Sequence, residues 1–121
     1  AGVLENTITQ MEKLGAVRQN ITAIIGPSIS QANYEVGQEF LEEFMDHDAD
    51  NTRFFACGDP PQKYQFDLPS FGLKLLREAG VGHAEWTRHC TYAAPERFFS
   101  YRRSCNHNEA DYGRLISAIT L

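Results

Sequence analysis

No stretch of this sequence approaches the ~18 consecutive apolar residues of a membrane-spanning helix, so no membrane role is expected. Ala1 leads directly into an amphipathic segment, and no secretory leader is expected there. Cysteine is scarce and odd in number. Cys57, Cys90 and Cys105 show no framework spacing, so free thiols in a reducing, cytoplasmic compartment are expected. Basic charge is short as well: 11 Lys and Arg against 16 Asp and Glu leave a net charge of −5. That argues against nucleic acid as a partner. Internal repeats, low-complexity tracts and linkers are absent. So are Cys-x-x-Cys, His-Glu-x-x-His and Gly-x-Ser-x-Gly, which removes the commonest zinc and serine-nucleophile signatures.

What is present suits a globular fold. The 121 residues are 42% hydrophobic and 22% charged. A chain of this length buries about 65% of its unfolded surface, enough for a real core. Residues 1–121 read as one domain, or as the C-terminal half of a larger one. The charge is uneven. Glu35, Glu39, Glu42, Glu43, Asp46, Asp48 and Asp50 make an acidic stretch that reads as a solvated face. From Arg88 onward five Arg outnumber three acids.

Periodicity gives the elements. Leu4, Ile8 and Met11 predict a helix over 2–14, ended by Gly15. Ile21 to Ile25 is apolar and β-branched, which predicts a strand buried on both faces and central in its sheet. Val36, Phe40 and Phe44 predict a second helix over 35–46, with Asn33 as a possible cap. Arg53–Ala56 and Lys63–Phe66 read as strands around a Gly58–Pro61 turn. Asp67 caps a third helix, 69–79, with Pro69 in its first turn and Gly80 after its end. Ala84–Arg88 is a further strand, and Ala94–Arg97 is at most one helical turn. Phe98–Arg103 reads extended, Ser104–Gly113 is a polar loop, and Arg114–Leu121 alternates as a closing strand. Three principal helices and about six short strands predict an α/β (α+β) layered fold on a mixed sheet.

Few residues carry chemistry on their own. His89 and Cys90 are adjacent and would point to opposite faces of a strand. Cys105 and His107 have no second pair nearby, so no metal site is expected within this chain. Ser28, just after a strand, stands where α/β sheets often meet ligands. Tyr101-Arg102-Arg103 is the clearest signal. On an extended backbone the two guanidiniums face opposite ways, and one of them suits bidentate binding of phosphate or carboxylate.

Several segments in order resemble one bacterial family. They are Ile25–Ser30, Tyr34–Gly37, Phe66–Leu68, Cys90-Thr91-Tyr92, Phe98-Phe99-Ser100-Tyr101-Arg102-Arg103 and Gly113-Arg114. The family is the YfiH-like proteins, also named multicopper polyphenol oxidases or laccase-domain proteins, which include purine nucleoside-processing enzymes. Ser104 departs from it, standing where the family carries an acid. The resemblance covers about the C-terminal half of the family, whose His and Cys metal ligands lie in the other half. Ala1–Glu5 resembles the stretch just past the last of those ligands, so no ligand or catalytic residue is carried onto this chain.

The resemblance implies an incomplete YfiH-like fold. It implies part of a zinc-dependent purine nucleoside phosphorylase or adenosine deaminase, acting on a small nucleoside and phosphate. A copper-dependent polyphenol oxidase is the alternative. A non-catalytic scaffold half, inactive without its N-terminal portion as partner, is another. Some members also carry a peptidoglycan-precursor editing role. Arg102, Arg103, Tyr101 and Ser28 are the expected substrate-binding residues.

Overall fold

The computed structural model describes residues 2–120. The first helix, α1 (Val3–Lys13), sets Ile8 against Leu76 of α3 (Leu68–Glu78) and Ala79 just after it, and these three form one buried cluster. Gly15 follows it at φ +103, and its N–H donates to Glu12 O over 2.9 Å, closing the helix as the sequence implies. A parallel pair comes next in space: β1 (Thr22–Ile25) runs beside β5 (His83–Trp86), with Ile25 opposite Trp86. Ala23 and Ile25 pack inward against the Ile8–Leu76–Ala79 cluster. Gly72 of α3 (Leu68–Glu78) makes room, because a Cβ there would stand 2.8 Å from Ile25 Cδ1.

The second sheet is antiparallel, ordered β2 (Glu35–Gly37), β4 (Lys63–Phe66), β3 (Phe55–Cys57). Its inner face and α2 (Gln38–His47) enclose an aromatic core around Phe66, which is 1% exposed. Phe40, Phe44, Phe55 and Phe71 all place ring centroids within 6 Å of the Phe66 ring. Asp67 links this core to α3. Its carboxylate accepts from Ser70 N over 3.1 Å and from Ser70 Oγ over 2.7 Å, the cap expected from the sequence. A short helix, α4 (Tyr101–Asn106), lies near the outer face of the antiparallel sheet, with Arg102 bonded to Glu35 of β2.

The mixed α/β class and the three principal helices agree with the sequence reading, but several details are corrected. Among the described residues the strands number five in two sheets, where about six in one mixed sheet are expected. β1 is not central: among the described residues β5 is its one ladder neighbour, and Thr22 and Ile24 face outward, Ile24 at 52% exposure. Residues 35–37 are a strand, not the first turn of a helix, because β4 supplies a ladder that outweighs helical periodicity. Asn33 sits in a 3-10 turn and caps no helix. Arg53 and Phe54 close a 3-10 segment, Ala49–Phe54, instead of opening β3. The 98–103 stretch is not extended, since Ser100 Oγ accepts from Arg103 N over 3.3 Å and starts α4. Residues 114–120 form no strand, and Ile116 and Ile119 are 94% exposed. Alternation specifies a strand where a neighbouring edge takes its backbone groups. Leu121 and Ala1 lie outside the described residues.

Candidate functional site

The parallel pair continues past its named ends. Ser28 N donates to His89 O over 3.0 Å and Thr91 N to Ser28 O over 3.1 Å, bridging Ser28 to Cys90. Ser28 and Cys90 therefore meet beyond the carboxyl ends of two parallel strands, where α/β sheets commonly bind ligands. Around Cys90 Sγ stand Ser30 Oγ at 3.1 Å, Ser30 N at 3.4 Å, Ala93 N at 3.4 Å and Asn33 Nδ2 at 3.5 Å. Burial pushes the Cys90 thiol up. The hydrogen bonds from Ser30, Ala93 and Tyr92 together outweigh it and lower the thiol from 9.0 to about 7.

The two arginines divide the work that was expected of either. Arg103 turns inward: Nη1 donates to Thr91 O (2.7 Å) and Tyr92 O (3.0 Å), and Nη2 to Phe98 O (2.6 Å). These carbonyls take the fork that an anion would need, so Arg103 clamps the 91–98 segment. Arg102 keeps donors in reserve. Its Nη1 donates to Glu35 O over 2.6 Å, and its guanidinium carbon lies 5.1 Å from the centre of the Tyr34 ring. Arg102 also lines a polar cleft of about 280 Å³ with Asn33, Glu35, Gln65, Tyr92 and Asn106. Asn33 joins this cleft to the Cys90 nest, because it lines the one and donates into the other.

Tyr101 stands apart. It is 63% exposed, its ring lies 4.9 Å from that of Tyr112, and a hydrogen bond involving Cys105 raises its hydroxyl above the usual range. The structure thus groups Ser28 with Cys90 and Arg102 with Asn33, and leaves Tyr101 outside both. Ser30, Gln65 and Asn106 were not singled out in the sequence, and Asn33 was read there only as a possible helix cap. Their one local sign is the Ser30–Asn33 spacing, which closes the turn through Asn33 Nδ2 to Ser30 Oγ over 3.1 Å.

The zinc or copper that the family resemblance implies finds no fit here. Among the described residues no three His, Cys, Asp or Glu converge as metal ligands. His83 faces Glu85 at 3.3 Å, and the His89 ring packs against Phe98. The Cys90 sulfur is ringed by hydrogen-bond donors, an arrangement that favours an anion over a cation. Cys57, Cys90 and Cys105 are unpaired, and no helix among the described residues is long and apolar enough to cross a membrane.

Comparison with known proteins places the parallel pair and the antiparallel sheet in one known fold. The family described as multi-copper polyphenol oxidoreductase laccase matches residues 1–121. The chain belongs to this family, which is the YfiH-like family. It is 36% identical over 120 residues to purine nucleoside phosphorylase RP494 of Rickettsia prowazekii, covering 98% of this chain and 49% of that one. It is 37% identical over 122 residues to purine nucleoside phosphorylase YfiH of Escherichia coli, covering 100% of this chain and 46% of the relative. Among solved structures, Neisseria meningitidis protein NMB0706 superposes at TM-score 0.74 with 34% identity, over 84% of this chain and 40% of its own. A Bacillus licheniformis YfiH structure shares the fold at TM-score 0.74 and 24% identity, over 86% of this chain and 40% of its own. The chain spans about half the length of the curated relatives it matches.

Proposed function

We propose that this chain is part of a cytoplasmic purine nucleoside phosphorylase. The observation that carries the reading is the alignment of relatives bearing that name along 98–100% of its length. In phosphorolysis an oxygen of inorganic phosphate bonds to C1′ of the ribose as the C1′–N9 bond breaks. The purine leaves with the bonding electrons and takes up a proton, and ribose 1-phosphate remains. Negative charge therefore develops on the departing base, and fixed cationic donors placed there lower the barrier.

Arg102 is the residue of this chain suited to that task, through the donors that Glu35 O leaves unused. Arg103 supports it by holding the 91–98 loop, while Ser28 helps shape the strand ends. We place the metal ligands, for zinc in this reading, in the remaining half of the parent protein. That half is also the partner whose apolar residues would cover Ile24, Ile116 and Ile119. Adenosine deamination is a second activity of the same site in this reading.

The family description favours a copper-dependent polyphenol oxidase as the second reading. Turnover in the full-length natural protein separates the two. We expect inosine to be consumed with phosphate, and Arg102→Ala to lower that turnover roughly ten- to a hundredfold, the worth of one charge-assisted contact. Oxidation of a phenol that needs added copper, with inosine untouched, would favour the oxidase.

A further inference from the structure

β5 leaves one of its edges unpaired. His83 N donates to Ile21 O over 3.3 Å and Thr87 N to Ile25 O over 3.0 Å, so every second residue of the strand bonds to β1. Alternation turns the N–H and C=O groups of Ala84 and Trp86 the other way. Among the described residues no strand lies on that side, and no backbone group bonds to those four. The strand holds neither Pro nor Lys, two residues that commonly guard such an edge.

The edge has a wall beside it. A groove of about 800 Å³ runs between β5 and one face of α3, which presents Ser70, Leu73 and Arg77. Arg77 stands in the last turn of α3, the end that feeds into β5. Arg88 follows the end of β5 by two positions, at φ +63. Both arginines line the groove and both are exposed. Neither guanidinium has an ion-pair or hydrogen-bond partner among the described residues. The carboxylate in the lining, Glu85, is engaged by His83 at 3.3 Å. The groove therefore offers an unpaired cation toward either end, on a chain whose net charge is −5.

We propose that this groove docks an extended acidic segment of a partner protein, which adds as a strand to the free edge of β5. A peptide held between a sheet edge and a helix takes its affinity from main-chain hydrogen bonds and its specificity from alternate side chains. Ala84 and Trp86 supply the main-chain groups. Asp or Glu near the two ends of the segment meets Arg77 and Arg88, and an apolar side chain between them rests on Leu73. The four residues of β5 span about 13 Å, the length of a short strand and more than one phosphate reaches. The proposal does not depend on the purine nucleoside reading.

The test is binding of a fluorescent peptide, DEVTVED, to the full-length natural protein, read by anisotropy and by amide hydrogen exchange. Binding should be saturable and should slow exchange over residues 83–87. Arg77→Gln and Arg88→Gln should each weaken it about two- to fivefold, the worth of an exposed ion pair, with unchanged melting temperatures. The peptide KKVTVKK should not bind, and methylation of alternate backbone nitrogens in DEVTVED should abolish binding. Failure of DEVTVED to bind would overturn the proposal, as would equal binding of KKVTVKK or of the methylated peptide. So would slow exchange over 83–87 in the free protein: unchanged on dilution, it assigns the edge to the parent's own chain, and lost on dilution, to a second copy.

Discussion

Ser30 Oγ donates a hydrogen bond to Cys90 Sγ over 3.1 Å, joining residues sixty positions apart where β1 and β5 both run out. A hydroxyl aimed at sulfur favours the thiolate, and backbone N–H groups of Ser30 and Ala93 add to it.

The first prediction follows from that nest. Burial raises the Cys90 thiol, and the surrounding donors more than offset that and bring it down to about 7. Iodoacetamide labelling of the Cys90 peptide, read by mass spectrometry, should reach half its maximal rate near pH 7. Ser30→Ala should move the midpoint upward, toward the ordinary thiol value. The folded-state value is depressed, so the thiolate's contribution to stability is fully present above the ordinary thiol value. It is lost as pH falls through about 7. Urea midpoints should therefore rise between pH 7 and 9, and Cys90→Ser should flatten that rise. A midpoint unmoved by Ser30→Ala would show that the hydroxyl does not act on the sulfur.

The arginines should separate cleanly in stability. Arg103→Ala strands the carbonyls of Thr91, Tyr92 and Phe98. The expected cost is about 3 kcal/mol, a fall in Tm on the order of 10 °C. Arg102→Ala removes one exposed hydrogen bond and a guanidinium over the Tyr34 ring, worth about 1 kcal/mol. Thermal melts of the two variants check this. Equal losses would mean that both arginines are structural.

Two glycines should respond differently to one methyl group. A Cβ on Gly82 would collide with the carbonyl oxygen of Gln19, a backbone atom beside the turn that leads into β1. Gly82→Ala should cost about 3 kcal/mol or more, because the chain itself must move. Gly15 has open space around its Cβ position but sits at φ +103, so Gly15→Ala should cost about 1–2 kcal/mol of backbone strain alone. Denaturant midpoints for the pair decide this, and a harmless Gly82→Ala would contradict the close packing of that turn.

Much of this fold was legible because local chemistry and tertiary packing agree. The Leu4–Ile8 stripe, the Asp67 cap with Pro69, and Gly15 and Gly80 each mark a helix end or face that the structure keeps. The reading failed where a distant partner decides. Glu35–Gly37 looked helical until β4 paired with it, and Ser100 turned an extended-looking stretch into α4 by capping it. Ile21–Ile25 looked central because an apolar run carries no sign of how many strands will flank it. In the candidate site, the arginine pair was visible as sequence, but its division of labour depends on Thr91 and Phe98 carbonyls that only the folded loop brings close. Gln65 and Asn106 were invisible for the same reason, and Asn33 showed only as a possible helix cap, each being an ordinary polar residue until three elements converge.

The central claim is phosphorolysis of a purine nucleoside by the protein of which this chain is part. Its most direct test is the product balance when the full-length natural protein is given inosine with and without inorganic phosphate. Our account predicts hypoxanthine and ribose 1-phosphate in equal amounts, with no release of base when phosphate is withheld. Hypoxanthine appearing with free ribose at the same rate in the absence of phosphate would contradict it.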